Sequence, residues 1–117
     1  MLKKIGFLIA ALVMSTGNLA IAEGFKLKGS PNPALVIFSQ TNDGGWSQAL
    51  DEARIKVEAE LGVKIPVVQN IPENATAIRP AVELLIERGH NIIIGSAFGY
   101  SDTFLELANE NPDVAFL

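Results

Sequence analysis

Five consecutive apolar residues, Ala34-Leu35-Val36-Ile37-Phe38, read as a strand covered on both faces, because a strand with one wet face alternates apolar with polar side chains. Burial on both sides demands helices above and below, and the residues that follow supply them. From Gly45 the period lengthens: Trp46, Ala49, Leu50, Ala53, Val57 and Leu61 recur at helical spacing as an inward stripe, while Asp51, Glu52, Lys56, Glu58 and Glu60 take the other face. Gly62 ends that helix. Residues 63–68 form a second strand whose Pro66 forfeits a ladder hydrogen bond and so belongs at a sheet edge. Pro72-Glu73-Asn74 turns the chain into a second helix with Ile78, Ala81, Val82, Leu85 and Ile86 inward and Gly89 closing it. Pro80 is expected in its first turn, where no intrahelical N–H is needed. Asn91-Ile92-Ile93-Ile94-Gly95 is the third strand, 103–110 a third helix and 114–117 the start of a fourth strand. The order β-α-β-α-β-α-β predicts an α/β fold, a Rossmann-like doubly wound parallel sheet with helices on both faces.

Residues 1–22 carry an address instead of a fold. Lys3 and Lys4 form a basic segment, 5–13 an apolar one, and Ala20-Ile21-Ala22 supplies the small residues a signal peptidase requires, so the mature chain is expected to begin at Glu23. The apolar stretch is shorter than the roughly 18–20 residues a bilayer needs, and Ser15, Thr16, Gly17 and Asn18 interrupt it. A lipid anchor at the cleavage point requires a cysteine, and the sequence has none. The expectation is a periplasmic protein, not itself membrane-spanning after cleavage, with no thiol chemistry. Of nine basic side chains, loss of Lys3 and Lys4 leaves seven against thirteen acidic ones. That balance argues against nucleic acid, which selects clustered Lys and Arg. Residues 23–32, rich in Gly and Pro at their end, read as a flexible leader, and 33–117 as one small domain.

In a doubly wound sheet, ligands bind at the carboxyl ends of the strands beside the topological switch point. The loops 39–46, 69–74 and 96–102 therefore matter most. In the first, Asn42-Asp43-Gly44-Gly45-Trp46 combines glycines that let backbone approach a ligand, a carboxylate acceptor and a flat indole. Such a set suits an aromatic or sugar ring, although Asp43 reads equally as a helix N-cap and Trp46 as the first residue of a buried stripe. The third loop, Ser96-Ala97-Phe98-Gly99-Tyr100-Ser101-Asp102, repeats the chemistry with two aromatics, a glycine and an acid. There Ser101 or Asp102 reads equally as a cap and Phe98 as core. The two loops meeting at one sheet edge make Asn42, Asp43, Gly45, Trp46, Phe98, Tyr100 and Asp102 the candidate ligand contacts.

Catalysis finds little support. The single histidine, His90, follows a helix-ending glycine and reads as a solvated turn residue. Metal-ligand spacings are missing, and no cofactor is called for. Gly95-Ser96-Ala97-Phe98-Gly99 has only superficially the glycine spacing of a nucleophile elbow, and a hydrolase would need a His and an acid beyond Leu117. A repressor's effector half is countered by the export signal and by the lack of a helix-turn-helix or basic segment upstream. A ligand-sensing periplasmic domain of the same fold stays open.

The run Asp43-Gly44-Gly45-Trp46-Ser47-Gln48-Ala49, then Glu60-Leu61-Gly62-Val63, Asn70-Ile71-Pro72-Glu73 and the third loop entire resemble, in that order, the basic membrane protein (Bmp) family of ABC-importer solute-binding proteins. The resemblance spans about Ala34 to Leu117. It implies a type I periplasmic binding protein that catalyses nothing: two Rossmann-like lobes close on a purine nucleoside or nucleobase and present it to the ABC permease membrane subunits. On that resemblance Asp43 is a polar contact to the base, Trp46 the aromatic that stacks on it, and Asp102 a second polar contact. Nucleoside-binding relatives commonly carry Phe and Asn where this chain has Trp46 and Ser47, which leaves a bare nucleobase or another small cyclic ligand open, a simple sugar among them. Two carboxylates facing one ligand favour a donor-rich partner over an anionic one. Family members are far longer, so the expectation is an incomplete first lobe that lacks the second, binds weakly on its own and has an open sheet edge that invites pairing.

Overall fold

A computed structural model describes residues 24–117. The expected signal, 1–22, lies outside the described residues. Four parallel strands, β1 (Pro33–Val36), β2 (Val67–Val68), β3 (Ile92–Gly95) and β4 (Ala115–Phe116), form one sheet in the order β2-β1-β3-β4. Leu35 pairs with Val67 and with Ile94, and Ile92 with Ala115. Helices α1 (Trp46–Leu61), α2 (Ala75–Glu87) and α3 (Ser101–Glu110) connect them, α3 entered through a 3₁₀ turn at Phe98–Tyr100. The switch point falls between β1 and β3, because the chain leaves β1 toward β2 and then crosses back. β2 lies at an edge, where the missing N–H of Pro66 costs no ladder bond.

Alternation along β1 sends its side chains to two unequal cores. Ala34 and Val36 join Ile93, with Ile78, Val82 and Leu85 of α2 and Phe104 and Leu107 of α3 packed over them. Leu35 and Ile37 join Ile65 in a smaller cluster that Leu50 of α1 covers. One helix on one face and two on the other is the doubly wound arrangement the alternating pattern predicts. Each fully buried Ile or Leu contributes about 2 kcal/mol, so the α2 and α3 face carries most of the apolar stabilisation.

Helix α1 departs from expectation. The side turned to the sheet is Ser47, Leu50, Asp51, Arg54 and Glu58, with Ser47 and Asp51 buried. Trp46, Ala49, Ala53, Val57 and Leu61, expected inward, are exposed. The reason lies in the chain entering β2, where the backbone of buried Ile65 lacks a ladder partner. Glu58 Oε1 accepts the Ile65 N–H at 2.7 Å and Arg54 donates to the Ile65 carbonyl at 3.0 Å. Arg54 in turn bonds Asp51 at 2.6 Å and Glu58 at 3.1 Å. Buried peptide groups must be satisfied, and only the charged side of α1 does so. Gly62 then closes the helix at φ 64°, a left-handed conformation that glycine adopts without strain.

Two further expectations are corrected. Pro80 sits inside α2, past its first turn. Its position on the exposed side lets water serve the Thr76 carbonyl that it leaves without an N–H. Residues 24–32 are fastened instead of trailing. Buried Asn91 donates from its amide to the Lys28 and Ser30 carbonyls and accepts the Asn32 N–H at 2.8 Å, and the Lys28 N–H reaches the Asp113 carbonyl at 2.9 Å. Asn74, at the start of α2, caps it by accepting the Ala77 N–H.

Candidate functional site

Three loops leave the carboxyl edge of the sheet, and hydrogen bonds stitch them together. Thr41 N–H donates to Gln69 Oε1 at 2.9 Å, tying the first loop to the second. The Gly99 N–H donates to Glu73 Oε1 at 3.0 Å, and the Tyr100 hydroxyl to the Ile71 carbonyl at 2.6 Å, tying the third loop to the second. The Trp46 Nε1–H donates to the Ser96 carbonyl at 2.7 Å, closing the circle from first to third. A side chain on Gly99 would bring its Cβ within 2.6 Å of Glu73 Cβ, so the approach of these loops requires glycine there.

Between the loops opens a cleft of about 490 Å³. Trp46, 62% exposed, Phe38, 39%, and Phe98, 99%, supply its aromatic surface. Gly95, Ser96 and Ala97 form the floor at the end of β3, with Ser101 and Glu73 at the sides. The walls are mostly apolar, and among the lining residues Glu73 is the one charged group. Ser96 is buried and its hydroxyl has no hydrogen-bond partner among the described residues. Such a cleft takes a flat, uncharged or cationic ring and disfavours an anion.

The candidate residues from the sequence divide. Trp46 and Phe98 line the cleft. Because its indole is exposed while its N–H is bonded, Trp46 is no member of a buried stripe; its ring is held in place with a face open. Asp43 turns back on its own loop: Oδ1 accepts the Gly45 N–H at 2.8 Å and the Gln48 N–H at 3.1 Å. The Gly45 and then the Gln48 N–H hold the Asp43 carboxyl below its ordinary value. Ser47 is buried, with no partner at hydrogen-bond distance for its hydroxyl, and is outside the cleft lining. Asn42 and Asp102 are exposed but outside the lining, and Gly45 precedes α1 with its N–H committed to Asp43. Tyr100, expected at the ligand, is instead core. It is 1% exposed, stacks obliquely on Phe104 with ring centroids 5.7 Å apart, and its phenol is pushed up to about 12 by burial, reinforced by the charge of Glu73.

Phe38, Glu73, Ser96 and Ser101 escaped the sequence reading as cleft residues. Phe38 ends an apolar run and carries no sign that the ladder stops at Val36. Glu73 had a signal, an acid in the second loop at the sheet's carboxyl edge. His90, expected as a solvated turn residue, is half-buried with an unpartnered Nδ1, and it precedes β3 at the end of the sheet away from the cleft. Among the described residues no group of His, Cys, Asp and Glu could hold a metal ion, and no helix is long and apolar enough to cross a membrane.

Comparison with known proteins converges on this architecture. Residues 31–117 match the Bmp family, ABC transporter substrate-binding protein PnrA-like. A purine-binding protein of Brucella abortus (strain 2308) is 28% identical over 106 residues, covering 84% of this chain and 30% of its own. The solved structure of an ABC transporter solute-binding protein from Conexibacter woesei DSM 14684 superposes with a TM-score of 0.66 at 28% identity, over 74% of this chain and 28% of that one. The chain thus spans about three tenths of the length of these relatives. The family match over most of the sequence, on a parallel sheet with an aromatic cleft at its switch point, makes the chain a member of the Bmp family of ABC transporter substrate-binding proteins.

Proposed function

We propose that this protein is the periplasmic solute-binding component of an ABC importer and captures a purine nucleobase or nucleoside. The exposed indole of Trp46 carries the reading. Its N–H is spent on the Ser96 carbonyl, so the ring plane is fixed before any ligand arrives, and stacking on it costs little ordering. Phe38 and Phe98 extend the aromatic surface, and the lack of a cation in the lining weighs against a phosphorylated ligand. The similarity to a protein named purine-binding supports the same ligand class. Capture proceeds by closure of a second lobe over the ring. Closure requires contacts that exist only in the closed state, since a ligand shifts a population only through differential affinity. The closed form then docks on permease subunits, and no bond in the ligand is made or broken.

The test is calorimetric titration of the full-length, signal-free protein, stripped of bound ligand by unfolding and refolding, against adenine, hypoxanthine, adenosine, guanosine, ribose and glucose. One-to-one heat with a purine is the expected result; silence across the purines with a response to sugar overturns it in favour of sugar capture. Trp46→Ala should cost about 1–3 kcal/mol of purine affinity while leaving the unfolding midpoint near wild type, because the ring is exposed. Unchanged affinity in that variant would remove the stacking role.

A further inference from the structure

We infer that Glu73, and not Asp43 or Asp102, is the carboxylate that reads the hydrogen-bonding edge of the ligand; this rests on the purine reading above. Three observations converge on it. Glu73 is the one acidic side chain lining the cleft, where Trp46, Phe38 and Phe98 leave room for a flat ring. Asp43 and Asp102 lie outside that lining, and Asp43 Oδ1 is committed to two N–H groups of its own loop. The Glu73 side chain is also held at a defined place. Its Oε1 accepts the Gly99 N–H at 3.0 Å, and the close approach of Glu73 Cβ to the Gly99 backbone tolerates no side chain at position 99.

With Oε1 bonded to the third loop, Oε2 is the acceptor left for a ligand. An ionised carboxylate accepts and cannot donate. It therefore selects ring edges that present N–H groups, such as the exocyclic amine of adenine or the ring N–H of a free base, and penalises rings that present only acceptors. A hydrogen bond to an ionised group is worth more than a neutral one. The Ser96 hydroxyl, buried in the floor without a partner, is the natural complement for an acceptor atom on the same ring. The specificity assigned here is for planar, uncharged or cationic, N–H-bearing rings.

The experiment compares adenine with 9-methylpurine, the same ring system with no N–H, by calorimetric titration of the full-length protein and its Glu73→Gln variant. The glutamine keeps an oxygen for the Gly99 N–H, so circular dichroism and the unfolding midpoint should match wild type. Wild type should prefer adenine by about tenfold or more, the effect of one charge-assisted hydrogen bond. Glu73→Gln should erase most of that preference while leaving 9-methylpurine binding where it was. A preference for adenine that survives Glu73→Gln unchanged overturns the assignment with the purine reading intact. Failure of wild type to bind adenine, with guanosine or adenosine still bound, overturns the assignment as stated for a free base and leaves the purine reading intact; silence toward bases and nucleosides alike overturns both.

Discussion

The two faces of the sheet are built on different principles. Over one, α2 and α3 lay Ile78, Val82, Leu85, Phe104 and Leu107 onto Ala34, Val36 and Ile93, and apolar burial does the holding. Over the other, α1 turns Asp51, Arg54 and Glu58 inward and leaves Val57 and Leu61 in solvent. The contrast teaches that a helix can be positioned by what it satisfies as well as by what it buries. α1 is fixed by the two peptide groups of Ile65 that its charged side completes. The same rotation brings Trp46, at the first turn, across to Ser96 and so to the cleft. The apolar face thus supplies rigidity, and the polar face aims the aromatic ring.

The sharpest way to break the comparison is to cut into each face and measure denaturant unfolding. On the apolar face, Ile78→Ala should cost about 3 kcal/mol, the transfer energy of a fully buried side chain plus the cavity it leaves. A loss below about 1 kcal/mol would mean that this face is less tightly packed than its burial indicates.

On the polar face, Arg54→Ala should cost about 2 kcal/mol, because it orphans the Ile65 carbonyl and leaves Asp51 and Glu58 without their shared cation. Through displacement of Trp46 it should also weaken binding of the proposed purine ligand, which Ile78→Ala should not do. Equal effects of both variants on affinity would erase the functional distinction between the faces.

The smallest effect is pH-dependent. The Ile65 N–H, aided by Arg54, holds the Glu58 carboxyl below its ordinary value of 4.5. A carboxyl with a depressed folded-state pKa contributes stability that is complete above its unfolded value and is lost as pH falls through the folded one. The polar face should therefore loosen below about pH 4.5. In Glu58→Gln, unfolding midpoints across that range should depend less on pH than in wild type. An unaltered profile would show that Glu58 adds nothing to the acid response.

Much of this was legible along the chain. The strand and helix order followed from period changes at Gly45, Gly62 and Gly89, because burial on both faces and burial on one leave different patterns. The meeting of loops 39–46, 69–74 and 96–102 followed from topology, since a doubly wound sheet brings them to one edge whatever their composition. Trp46 and Phe98 stood out as aromatics in loops. Which acid lines the cleft was hidden, because Asp43, Glu73 and Asp102 are equivalent in a linear text; the fold turns Asp43 back on its own loop, leaves Asp102 outside the lining and holds Glu73 at Gly99.

The sequence by itself determined the fold class, the order of strands and helices along the chain, the edge place of β2 and which loops share the carboxyl edge of the sheet, because these depend on local period and chain connectivity. The tertiary structure alone decided which side of α1 faces the sheet, that Tyr100 is core and Phe38 is not, and that Glu73 stands at the cleft. Each of those outcomes turns on a peptide group or a close approach far away in the chain: Ile65 for Arg54, Ile71 for Tyr100, Gly99 for Glu73. Amphipathic period records how much a helix can bury, but the partners waiting for its polar side decide how it is turned.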